Sequence, residues 1–343
     1  MQEKTYPPES VSISFGRKVL FFLIMVGIIA AGIIIGAELI IRIFLPQPFL
    51  FPRWEYSAEY GSVFPADTTI TSGCPGKWEF VYTINKYGNR GVAVSIADHY
   101  DKDNIVVLGD SFSFGQGVND GEDYPSVLSA ALEDKFNIIN ISCPGWGLTQ
   151  QLRRYHDFGR LYSPKVVILQ FSANDLLDNF INRVAEVRDG KLAFRNTDRK
   201  KGGIKTWISR CYPLQKSQIY CLIRNLYNNE LWRERDKKDA YLSRTESIPS
   251  HEKFYADLLE AFARSLRRSG TLLLMTGPQD SIDWFPYLKQ RIESLETEEL
   301  LTYHRSTPWF EEVEDFGSPE GHSWGKKAHK IVGEKLAEII RNL

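Results

Sequence analysis

The sequence predicts a doubly wound α/β fold, a parallel sheet covered by helices on both faces, set behind one apolar N-terminal segment. Three observations predict it. From residue 104 onward, short apolar runs alternate with amphipathic stretches, the form of strands buried on both faces and joined by helical crossovers. The runs are about as long as single strands, and the first four end in Asp, Ser or Gly. Residues 19–37, VLFFLIMVGIIAAGIIIGA, carry no charge at all.

In chain order, the strands are read at 105–110 (IVVLGD), 137–142 (NIINIS), 166–172 (VVILQFS), 271–277 (TLLLMTG) and 300–304 (LLTYH). Helical periodicity fills the gaps at 124–134, 148–161, 252–268, 285–295 and 326–341. Ligand sites in such sheets form at the carboxyl ends of the strands. Upstream, residues 46–103 are rich in Pro, Gly and aromatics and read as a connector, with one alternating stretch, WEFVYTIN at 78–85, as a hairpin or edge strand. Residues 176–248 are too long for a plain connection, so an insertion shaping the substrate site is expected there. Within it, AEVRDGKLAF at 185–194 centres on Asp189-Gly190, a hairpin signal. A basic run, Arg195, Arg199, Lys200, Lys201 and Lys205, follows and reads as solvated surface or as a face toward anionic lipid or glycan.

The apolar run matches the ~20 helical residues that span a bilayer. It is longer than a secretory signal core and lacks a cleavage site after it, so residues 19–45 are read as an uncleaved anchor. Lys4, Arg17 and Lys18 precede it and Arg42 and Arg53 follow, which puts residues 1–18 in the cytoplasm and the remainder in the periplasm or outside the cell. The folded domain is expected at 104–343. The 343 residues hold 42 Lys and Arg against 43 Asp and Glu, a net charge of -1 that excludes a broad electrostatic affinity for nucleic acid. Four cysteines, Cys74, Cys143, Cys211 and Cys221, show no metal-ligand spacing, and a Cys211–Cys221 loop or buried thiols are both compatible with it.

The chemistry gathers at the strand ends. Gly109-Asp110-Ser111 closes the first strand, where a hydroxyl is presented at the sheet edge. A serine needs a base to take its proton and donors to hold the oxyanion it creates. Gly145, after the second strand, offers a backbone N–H unobstructed by a side chain, and Asn174, after the third, offers a side-chain amide. Before the last helix stands Ser-Pro-Glu320-Gly-His322, with His322 as base and Glu320 as the acid that orients it. His99, His156, His251, His304 and His329 lack such a setting and read as structural or surface residues.

GDSFSFGQGV, NISCPGWG, FSAND and EGH, in this order over residues 104–343, resemble the blocks of the SGNH/GDSL hydrolase family. The resemblance implies a three-layer α/β/α flavodoxin-like fold, no cofactor, and Ser111, Gly145, Asn174 and His322 as the four named positions. Two departures accompany it. The third block has Ser172-Ala173 where a glycine is usual, and Glu320 stands where aspartate is usual, leaving Asp315 or a Ser111–His322 dyad as alternatives. The anchored N-terminus resembles the envelope-facing bacterial branch. The expected function is a serine esterase acting on an acyl ester, acetyl among them, of an envelope glycan, lipid or small molecule. An O-acyltransferase of an envelope polysaccharide would use the same residues, and a catalytically inactive envelope scaffold is the reading from another class.

Overall fold

A computed structural model of the chain describes residues 14–51, 54–97, 101–133, 135–197, 203, 211–227, 247–311 and 313–343. His99 and most of the basic run, Arg199 to Lys205, lie outside the described residues. The chain opens with helix α1, Phe15–Phe44, whose 30 residues are uniformly apolar between Lys18 and Glu38 and none of which is buried. At 1.5 Å per residue it is about 45 Å long, enough to cross a ~30 Å hydrocarbon layer with a turn or more to spare.

Two antiparallel pairs follow, β1 (Glu55–Ser57) with β2 (Gly61–Val63) and β3 (Thr68–Cys74) with β4 (Trp78–Ile84). The sequence signals β4 alone. Its partner β3, TTITSGC, is legible only through Ile70 and its β-branched neighbours, because polar threonines blur the alternation.

The main sheet is built from β5 (Asp103–Leu108), β6 (Phe136–Asn140), β7 (Val166–Gln170), then β10 (Leu272–Thr276) and β11 (Thr302–His304), with the hairpin β8 (Ala185–Arg188) and β9 (Lys191–Phe194) outside it. All its neighbouring strands pair in parallel and the order is β11-β10-β7-β5-β6. Among the five this is the order 2-1-3-4-5, whose reversal point lies beside β5, the first of them. Each strand begins or ends within two residues of its predicted run. The hairpin turn is as read: Asp189 and Gly190 both have positive φ, 50° and 70°, the requirement of a two-residue turn matched to strand twist.

Among the described residues, α1 is followed by helices α2 (Ser111–Phe114), α3 (Tyr124–Ala131), α4 (Leu148–Asp157), α5 (Asp175–Ile181), α6 (Tyr212–Gln215), α7 (Ser247–Arg268), α8 (Pro286–Thr297) and α9 (Lys326–Arg341), and residues 218–227 are helical as well. Strand alternation distributes them. Ile105 and Val107 face α3 and α9 in one apolar cluster, while Val106 and Leu108 face α4, α7 and α8 in another. The result is the three-layer α/β/α arrangement. α9 shows the cause plainly, burying Ala328, Val332, Leu336 and Ile340 at steps of four residues.

A third cluster joins the connector to the sheet domain: Phe51, Phe64, Ile70, Tyr82 and Ile84 pack with Phe114, Cys143 and Trp146. Arg90 locks this union. Its guanidinium lies over the rings of Tyr82 and Phe114, at 4.7 and 5.3 Å. It donates to the carbonyls of Phe114 at 2.8 Å, Gly115 at 2.5 Å and Val118 at 2.8 Å, and to Asp120 at 3.2 Å. Only the planar fork of arginine reaches so many acceptors at once. Replacing Arg90 by Ala strands these buried carbonyls and is expected to destabilise the fold by about 3 kcal/mol. Chemical denaturation of the Arg90→Ala protein checks this, and a loss under ~1 kcal/mol would show that the clamp is idle.

Candidate active site

Ser111 stands at the carboxyl end of β5, beside the reversal point of the sheet. The strand can turn there because Gly109 has no side chain: a Cβ at that position would sit 2.3 Å from Ser113 Oγ and 2.6 Å from Gln170 Oε1. Asp110 then caps α2, its carboxylate accepting from Phe112 N–H at 3.0 Å. Ser111 is left half-buried while Phe112, Ser113 and Phe114 turn inward. The chain thus offers one hydroxyl to solvent and spends its neighbours on packing.

His322 meets it from the other end of the sequence. Its Nε2 lies 3.0 Å from Ser111 Oγ, 211 residues away in the chain. The imidazole packs on the Phe112 ring, centroids 4.4 Å apart, and Phe112 in turn packs edge-on against buried Trp324. The loop that presents His322 is tied to the Ser111 loop by a chain of bonds. Tyr82 Oη accepts from Gly117 N–H at 3.2 Å, Ser318 Oγ donates to Gly117 O at 3.0 Å, and Ser318 N–H donates to His322 O at 2.8 Å. Burial lowers the His322 pKa to about 4, from an ordinary 6.5. The ring is therefore neutral at pH 7, the state a general base requires.

The acid is placed otherwise than the motif suggests. Glu320 makes no hydrogen bond to His322. Its loop turns it toward Gly117, where a Cβ would come within 3.1 Å of Glu320 Oε1. Burial holds its carboxyl above the usual range, with the Gln116 side chain acting in the opposite sense. Asp315 is exposed and also has no bond to His322. What faces His322 Nδ1 is the Trp324 backbone N–H, at a long 3.4 Å. Of the three arrangements open in the sequence, the geometry present is the Ser111–His322 dyad.

The predicted oxyanion donors flank β5 on both sides, Gly145 after β6 and Asn174 at the start of α5. Gly145 is exposed in a turn with φ +72°, a conformation other residues adopt at a cost, and a Cβ there would meet nothing within 4 Å. Backbone conformation, rather than crowding, calls for glycine. The amide of Asn174 is already engaged: Nδ2 donates to Asp110 Oδ2 at 3.0 Å and to Asp178 Oδ2 at 2.9 Å, and Oδ1 accepts from Ser172 Oγ. To serve an oxyanion it must release one carboxylate. These carboxylates belong to a buried group that also includes Asp175. Burial raises Asp110 to about 6 and raises Asp175 well above its ordinary value, their mutual repulsion adding to it. The sequence reading missed Asp110 and Asp178 as the groups that aim Asn174, although adjacency to Ser111 and the i+4 spacing on α5 signal both.

Among the described residues, no other histidine makes a hydrogen bond to Ser111 or His322. His329 is fully buried, its Nδ1 accepting from Tyr124 N–H at 3.2 Å. All four cysteines are free thiols. A cavity of about 500 Å³ lined by Leu152, Tyr155, Phe262 and Thr271 opens at the amino ends of β7 and β10, the wrong end of the sheet for Ser111.

Residues 107–199 match the family described as GDSL-like Lipase/Acylhydrolase. No curated protein matches the chain. Among solved structures, the chain is similar to the psychrotrophic esterase EstA from Pseudoalteromonas sp. at 14% identity, covering 70% of this chain and 98% of that one with a TM-score of 0.40. It is also similar to the acetyl xylan esterase Est2A from the rumen bacterium Butyrivibrio proteoclasticus, at 13% identity over 75% of this chain and 67% of that one, TM-score 0.38.

A titration tests the electrostatics directly. Since the folded His322 pKa of about 4 lies below the ordinary 6.5, the folded state holds fewer protons than the unfolded one between these values. The stability that neutral His322 contributes is complete above pH 6.5 and is lost as pH falls toward 4. The His322 ring resonance, assigned by its absence in His322→Asn, is expected to titrate near pH 4. A midpoint at 6.5 or above would reveal a carboxylate partner for the imidazolium.

Proposed function

We propose that this chain is an ester hydrolase of the SGNH/GDSL type, with Ser111 the nucleophile and His322 the base of an acyl-enzyme mechanism; the match of residues 107–199 to the GDSL-like Lipase/Acylhydrolase family supports the reading. The observation that carries the proposal is the 3.0 Å contact between Ser111 Oγ and His322 Nε2 at the end of β5. Ser111 Oγ attacks the acyl carbonyl carbon as His322 takes its proton. The alcohol departs with that proton, and water, activated by the same imidazole, cleaves the acyl-enzyme. The N–H groups of Ser111 and Gly145 hold the oxyanion, joined by Asn174 once its amide turns from a carboxylate. As a dyad, the site relies on Trp324 and Phe112 to hold the imidazole that a triad would orient with an acid.

We further propose that α1, apolar and long enough to cross a bilayer, anchors this chemistry at a membrane. The charges of Arg17 and Lys18 before the apolar run favour an N-terminus in the cytoplasm and a site on the far face. The substrate class is an acyl ester of an envelope glycan, lipid or small molecule.

Hydrolysis of short-chain nitrophenyl esters by the full chain, compared with Ser111→Ala, is the test. The substitution is expected to lower kcat by at least about 10³-fold. Undiminished turnover would remove Ser111 from the mechanism. Glu320→Gln is expected to cost less than about tenfold, because no bond to His322 is lost; a loss of ~10³-fold or more would restore Glu320 as the acid. With an acyl donor and a glycan supplied together, free acid should form faster than acyl-glycan; the reverse would make the enzyme a transferase.

A further inference from the structure

The membrane helix does not stand free of the folded domain at its C-terminal end. Glu38 follows the last uncharged residue of the apolar run, and it caps a second helix. Its carboxylate accepts from Ser217 Oγ at 2.9 Å, Gln218 N–H at 2.8 Å and Ile219 N–H at 3.2 Å. Those are the orphan amides at the start of helical residues 218–227. The Arg42 guanidinium joins them, 3.0 Å from Glu38 Oε1. The flank is secured as well: Gln218 Oε1 accepts from Gln47 N–H at 2.6 Å, and Asn225 Nδ2 donates to Pro48 O at 3.2 Å.

This short helix has two faces. Gln218 and Cys221 are buried, whereas Ile223, Leu226 and Tyr227 are 63%, 59% and 61% exposed. With Ile219 and Tyr220 they fall at i, i+1, i+4, i+7 and i+8, one apolar stripe. A soluble surface seldom leaves such a stripe open. Its attachment to Glu38 puts it where an ~30 Å hydrocarbon layer around residues 19–37 would end. Arg42, Lys216 and Arg224 flank it, charges suited to anionic headgroups.

We infer that residues 218–227 form an in-plane interfacial helix, whose Ile223, Leu226 and Tyr227 insert into the headgroup and acyl boundary of the bilayer that α1 crosses. The helix is a second, peripheral contact with the same membrane and sets the orientation of the enzyme on it. The inference rests on α1 being a membrane helix, and its test separates the two.

Single cysteines are placed at Ile223 and Leu226 in the full chain, with Ile29 in α1 and Val92 as references, on a Cys211→Ser background that leaves only buried native thiols. Each is labelled with a nitroxide and reconstituted in nanodiscs of phosphatidylcholine and phosphatidylglycerol, three to one. Power saturation then compares collision with oxygen, which concentrates in lipid, and with a nickel chelate, which stays in water. The oxygen-to-nickel ratio at Ile223→Cys and Leu226→Cys is expected to exceed that at Val92→Cys severalfold and to approach that at Ile29→Cys. A ratio equal to that at Val92→Cys, with Ile29→Cys lipid-like, overturns the interfacial helix and leaves the anchor standing. Shielding from both reagents also overturns it, since protein rather than lipid would then cover the stripe. A water-like Ile29→Cys overturns the anchor and this inference together.

Discussion

A parallel sheet buried on both faces can offer side chains to solvent only at its ends. That constraint organises this molecule. The strand order reverses beside β5, so the loops after β6 and β7 diverge around its tip and leave Ser111 between them. Gly145 and Asn174 lie on those two loops for topological reasons, before any chemistry is considered. His322 comes from a different layer, delivered by the loop that feeds α9, and the two faces of the sheet therefore meet at one hydroxyl.

Holding that meeting point is the work of the connector. Arg90 grips three carbonyls of the segment after α2, and Tyr82 receives the N–H of Gly117 from the same segment. Ser318 continues the link to His322. The connector is thus a structural part of the site's wall. The same locking explains the position of Glu320, because the loop conformation that suits Ser318 and Gly117 turns the neighbouring carboxylate away from the imidazole.

Much of this is legible in the amino-acid sequence. Runs such as IVVLGD and VVILQFS alternate inward on both faces, so strand positions and sheet type followed from period and composition. The meeting of Ser111 and His322 was legible because a serine nucleophile and its base would be needed at a strand end and in a loop. Arg90 was not, since its acceptors are backbone carbonyls that leave no mark in residue type. Glu320 misled because spacing along the chain carries no information about where a loop side chain points. Asn174 lay between these cases: its identity as a donor was clear, while its present acceptors, Asp110 and Asp178, depend on how α5 meets β5.

One short stretch carries a kinetic consequence. α1 ends at Phe44, and Phe49 is already bonded in both directions to Gly73 of β3. Four residues, Leu45 to Pro48, two of them prolines, are all that separate them. So stiff a tether, spanning at most about 14 Å, leaves the catalytic end almost no radius of search. For an enzyme held by α1 in a bilayer, encounter then depends on what diffuses to a fixed height above the surface. Esters held at that height would meet Ser111 at a high local concentration, while esters farther off would count only as they drift in.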